Sequence, residues 1–100
     1  MSEPSAAQPA WQRLHAVVHG RVQGVGFRFF VLQQAVALDV TGWVRNLEGG
    51  MVEVVAEGST SDLEALLTAL REGPNGASVR DVKWHYSPAS AEFREFHIRY

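Results

Sequence analysis

Cysteine is absent from the 100-residue chain. That excludes disulfide bonds, thiolate zinc sites, iron–sulfur clusters and a cysteine nucleophile. An excess of positive charge is missing too. Nine Lys and Arg face eleven Asp and Glu, for a net charge of −2 and a pI near 6.0. Binders of a nucleic-acid backbone normally carry a clear basic excess. No apolar run approaches the ~20 residues that a bilayer-spanning helix needs. Residues 1–8 hold neither a basic region nor an apolar stretch, so no secretory signal is expected and a soluble cytoplasmic protein is the default. What remains is ordinary for one globular domain, with 46% hydrophobic and 20% charged residues.

Residues 1–12 are rich in Ser, Ala, Pro and Gln with little to bury, and are expected to form a flexible N-terminal tail. Residues 13–100 are expected to form the domain. Leu14, Ala16 and Val18 alternate with polar neighbours and predict a strand over 13–20. A helix over 27–38 follows, with Phe27, Phe30, Val31, Ala35 and Leu38 on one side. Phe29, Leu32 and Val36 load the other side, which predicts a helix covered twice, by a sheet and by a second helix. Asp39 sits at its C-terminal end, where a negative charge opposes the helix dipole.

Residues 40–47 and 51–57 read as two strands joined by Glu48-Gly49-Gly50. In the second, Val52, Val54 and Ala56 face one way and Glu53 and Glu57 the other. Ser61-Asp62-Leu63-Glu64 reads as a capping box. It opens a helix whose Leu63, Leu66, Leu67 and Leu70 form one apolar stripe, ended by Gly73-Pro74. Val82, Trp84 and Tyr86 alternate as a fourth strand; Phe96, Ile98 and Tyr100 as a fifth. This order, βαββαβ plus a C-terminal strand, fits an α+β two-layer sandwich of the ferredoxin-like type, one sheet carrying both helices on one face.

Between the first strand and first helix lies Gly20-Arg21-Val22-Gln23-Gly24-Val25-Gly26-Phe27-Arg28. Glycines let such a backbone curl until its amides converge, and a helix N-terminus adds unpaired amides and a positive dipole end. Arg28 adds a fork of donors suited to phosphate. By spacing alone, a phosphate cradle and a plain glycine-rich turn before an exposed arginine stand equal. Other phosphate loops fail: no Lys-Ser or Lys-Thr follows the glycines, and Phe29 stands where a dinucleotide fingerprint needs its third glycine. Gly26-Phe27-Arg28-Phe29-Phe30 has the flavour of an RNA-recognition RNP1 box, but that box belongs on a central strand. Here the aromatics fall on a helix.

Other chemistries find no residues. His15 and His19 lie on one strand, where a four-residue step spans roughly 13 Å, too far to chelate one metal. His85 and His97 fall on separate strands. The acidic residues are scattered, mostly on strand exteriors, and no G-x-S-x-G elbow occurs. No metal and no cofactor are expected.

The segment from Gly20 to Arg28 resembles the first signature of the acylphosphatase family. Gly42-Trp43-Val44-Arg45-Asn46, with Gly50, Val52 and Gly58 at the expected intervals, resembles the second. The resemblance covers nearly everything after the tail. It implies that Arg28 binds the substrate phosphate and that the backbone amides of Gln23, Gly24, Val25, Gly26 and Phe27 complete the cradle. It also implies that Asn46 orients the attacking water and that the protein is a small monomer. It further brings the Tyr100 carboxylate toward Arg28, although Tyr100 reads equally well as a core aromatic at a strand end. The chemistry is consistent with this. A site with an anion cradle but no nucleophile, metal or evident acid suits a leaving group that needs no proton, such as a carboxylate of pKa about 4. The expected substrate is an acyl phosphate, with inorganic phosphate as product and inhibitor and no nucleic-acid or membrane partner. The alternative is a non-catalytic binding module of the same fold, for RNA or a small anion. A third reading is a stand-alone copy of a domain normally fused to larger machinery.

Overall fold

The computed structural model describes residues 11–100. Its elements run β1 (Trp11–Arg21), α1 (Phe27–Leu38), β2 (Thr41–Asn46), β3 (Val52–Ser59), α2 (Thr60–Glu72), β4 (Ser78–Pro88) and β5 (Phe96–Ile98). Trp11 and Gln12, placed in the tail by composition, therefore lie in β1; the rest of the expected tail is outside the described residues. The strands form one sheet in the order β4-β1-β3-β2-β5, antiparallel except for the β2–β5 pair. This is a ferredoxin-like α+β fold.

Side-chain alternation decides the inner face. Leu14, Ala16 and Val18 of β1, Val44 of β2 and Val52, Val54 and Ala56 of β3 are fully buried. Phe27, Val31 and Ala35 of α1 and Leu63, Leu66, Leu67 and Leu70 of α2 close the core from the helical layer. Each large side chain among them contributes roughly 1.5–3 kcal/mol on burial.

Three local expectations are corrected and one residue gains an explanation. First, α1 is not covered on its second side. Leu32 packs on the core, but Phe29 and Val36 are 58% and 65% exposed. Both helices lie on one face of the sheet, so the remaining side of α1 meets solvent. Second, the N-cap of α2 is Ser59, whose Oγ accepts from the Asp62 N–H at 3.2 Å. The last residue of β3 thus caps the helix directly, and Ser61 falls inside the first turn.

Third, Asp39 now has a physical reason. It adopts φ 62°, a left-handed conformation that Asp tolerates better than most residues. Its N–H donates to the Val36 carbonyl at 3.2 Å, while the Val40 N–H donates to that of Ala35 at 3.1 Å. This pair of bonds closes the helix in the manner of a Schellman motif.

Fourth, Glu57 is not an exterior residue: it is 0% exposed. Its carboxylate accepts from Arg13 Nε at 2.8 Å, the Ser90 N–H at 2.9 Å, Ser90 Oγ at 3.0 Å and the Ala91 N–H at 2.9 Å. The segment after β4 reaches over Glu57 on the sheet face opposite the helices and covers it. Burial pushes the carboxyl upward, yet these bonds outweigh burial and hold it below the ordinary Glu range. On the same face, Glu53 accepts from Arg45 Nε at 2.7 Å and lies 2.7 Å from His15 Nε2. His15 and His85, unrelated by spacing, are cross-strand neighbours with ring centroids 5.1 Å apart.

Candidate active site

Sheet register brings the two motifs together. Val18 of β1 and Asn46 of β2 both pair with Val52, from opposite sides of β3. The loop that leaves β1 therefore begins beside the end of β2. The parallel strand β5 adds the C-terminus, with Ile98 opposite Val44 and the Arg99 N–H donating to the Val44 carbonyl at 2.8 Å. Tyr100 arrives at the same end of the sheet.

A cavity of about 290 Å³ opens there. Gly24, Gly26, Phe27 and Arg28 line it from the loop and the start of α1, Asn46 from β2, and Tyr100 from beyond β5. Arg28 and Asn46 thus share one cavity although their separation in sequence is 18 residues. Gln23 and Val25 do not line it. Val25 packs against the core, and the Gln23 side chain turns to the β2–β3 hairpin.

Loop geometry explains the glycines. Gly24 and Gly26 hold φ of 74° and 76°, where a side chain is strained, although a Cβ at either would meet nothing within 4 Å. Backbone conformation, not space, demands glycine. Gly26 is also the N-cap of α1, and it brings no side-chain hydrogen bond; the first turn contains no acidic residue. The contrast with α2 is informative. There Ser59 caps the amides and Asp62 sits in the first turn. The N-terminus of α1 has no such occupant and faces the cavity, so its unpaired amides and dipole favour an anion.

Arg28 stands in the first turn of α1. Its guanidinium carbon lies 4.9 Å from the centroid of the Tyr100 ring. Among the described residues, ion pairs engage Arg13, His15, Arg45 and Lys83, but not Arg28. Tyr100 is 98% exposed, so it is not a core aromatic, and its ring is what meets Arg28. The Asn46 amide makes no side-chain hydrogen bond among the described residues. Nor do three His, Asp or Glu side chains converge there as a metal site.

Sequence reading missed one residue of consequence at this site, the Gln23 side chain. Its Nε2 donates to the carbonyls of Leu47 and Met51, at 2.8 Å each. Both acceptors are backbone groups on another hairpin, so no side-chain pattern could announce them.

The fold and site together define a small two-layer α+β protein with an open helix N-terminus, one free guanidinium and one carboxamide around a cavity. The acylphosphatase family profile matches residues 14–98. An acylphosphatase of Salinibacter ruber is 49% identical over 88 residues, covering 88% of this chain and 93% of that protein. One from Pasteurella multocida is 49% identical over 84 residues, covering 84% and 93%. The crystal structure of acylphosphatase from Bacillus subtilis superimposes with a TM-score of 0.86 at 36% identity, covering 89% of this chain and 99% of that one. Full-length HypF contains a similar region, with a TM-score of 0.83 at 29% identity over 12% of its chain. The chain belongs to the acylphosphatase family, hydrolases that act on acid anhydrides, and its activity is hydrolysis of acyl phosphates. No described helix is long and apolar enough to cross a membrane.

Proposed function

We propose that Arg28 and the backbone amides of residues 23–27 hold the phosphate of an acyl phosphate while Asn46 positions the attacking water. The observation that carries this reading is the shared cavity. Arg28, at a helix N-terminus without a side-chain cap, and Asn46, at a strand end, reach it from different elements. In the proposed reaction the water oxygen attacks phosphorus in line with the acyl oxygen. The P–O bond to the acyl group breaks, and its electron pair leaves on the carboxylate. A leaving group of pKa about 4 departs without protonation. Charge on the equatorial oxygens is stabilised by the guanidinium and the amides, the usual source of rate in phosphoryl transfer.

Asn46 is no base, so its role is orientation: its carbonyl oxygen accepts from the water, or its N–H donates to the water oxygen. The proton released from the water goes to a phosphate oxygen of the substrate. The protein is further proposed to act as a cytoplasmic monomer without a nucleic-acid or membrane partner. The test is hydrolysis of benzoyl phosphate in the presence of EDTA. Turnover that is competitively inhibited by inorganic phosphate is expected; a protein that binds phosphate but turns nothing over would be a binding module of the same fold.

A further inference from the structure

We infer that Gln23 is a positioning residue whose side chain sets the distance between the phosphate loop and Asn46. The inference rests on the reading that Asn46 orients the water. β1 and β2 are not neighbours, because β3 runs between them. The loop after β1 and the end of β2 therefore have no ladder in common. Among the described residues, the two Gln23 bonds are the only hydrogen bonds joining residues 22–28 to residues 46–51.

Both amide hydrogens of Gln23 are used, one on the Leu47 carbonyl and one on that of Met51, at 2.8 Å each. Those acceptors are the two ends of the hairpin, which the Leu47 N–H closes onto the Met51 carbonyl at 2.9 Å. Leu47 follows Asn46 directly. One carboxamide thus pins the anion loop to the turn that carries the water-holding residue. The Gln23 side chain is turned to the hairpin and does not line the cavity, so in this role it acts through the position of Asn46, while its backbone amide stays with the phosphate loop. An in-line displacement is sensitive to such placement: a shift of about 1 Å between reacting groups can cost ~10²-fold in rate.

The experiment compares Gln23→Met, which keeps length but loses both donors, with Asn46→Ala and the double variant. Gln23→Leu serves as a second replacement should the Met variant fold poorly. Initial rates with benzoyl phosphate give kcat, and inorganic phosphate gives an inhibition constant. Gln23→Met is expected to lower kcat by about 10–100-fold with the phosphate constant within about threefold of wild type. In the Asn46→Ala background, the same change is expected to cost less than about threefold, because the group it positions is gone. Multiplying losses, or a phosphate affinity that falls in step with kcat, overturns the positioning role while leaving the Asn46 reading intact. Wild-type turnover in Asn46→Ala overturns both.

Discussion

Arg28 and Tyr100 meet face to edge of the cavity, the guanidinium carbon 4.9 Å from the ring centroid. With Tyr100 98% exposed, the ring stabilises the cation's position and little else. A cation–π contact at an exposed site is worth about 0.5–1 kcal/mol, or a factor of about 2–5 in binding. Tyr100→Leu is therefore expected to raise the phosphate inhibition constant by that factor and to leave the melting temperature unchanged. Steady-state inhibition beside a thermal melt measures both; an unmoved constant removes the ring from the site.

Arg28 carries the largest predicted effect. It is the one charged side chain among those lining the cavity, and no described residue pairs with it. Removing a single preorganised donor typically costs about 10²–10³ in rate, and a lone cation should cost at least that. Arg28→Gln is expected to lose more than about 10³-fold in kcat/KM while keeping its thermal stability. A variant with near-normal kcat/KM would show that phosphate is held elsewhere.

Asn46→Ala separates water from phosphate. The expected outcome is a loss of about 10²-fold in kcat with inorganic phosphate still competing at its wild-type concentration. Parallel loss of phosphate affinity would move Asn46 from the water to the phosphate. The pH–rate profile checks the accompanying proton step. No essential protein base should titrate near neutrality, because the proton goes to the substrate.

Glu57 governs acid stability. Its folded carboxyl titrates below the ordinary Glu range because four donors outweigh its burial. A lowered folded value means that the stabilisation is present above the ordinary Glu value of about 4.3 and is lost as pH falls through the folded value. Glu57→Gln is expected to cost about 1–3 kcal/mol at pH 7, since the amide group cannot satisfy all the donors. Its stability should also fall less steeply than wild type below about pH 4.3. Urea denaturation at a series of pH values measures both quantities. Equal acid slopes would mean that other carboxylates, Glu53 among them, carry the acid transition.

These residues also show where sequence is informative. The inner faces of β1 and β3 are legible because burial on one side of a sheet enforces a period of two, and Leu63, Leu66, Leu67 and Leu70 are legible because one stripe meets one layer. The placement of Arg28 in the first helical turn beside the glycine loop is legible because that segment is local in sequence. Glu57 is not: alternation correctly turns it away from the core, but a distant segment then folds over it. The exposure of Phe29 and Val36 is equally hidden. Apolar content shows that a helix face could be covered, and only the placement of both helices shows that it is not. Gln23 escapes for a third reason: its partners are carbonyls, which every residue has.

The most direct measurement is a titration of the isotopically labelled protein with inorganic phosphate, followed by amide and guanidinium NMR shifts. Saturable shifts concentrated at the amides of residues 23–28 and at Arg28 Nε, lost in Arg28→Gln, are the predicted result. Shifts scattered over the basic surface, or retained at full affinity in Arg28→Gln, would contradict a phosphate site at the start of α1.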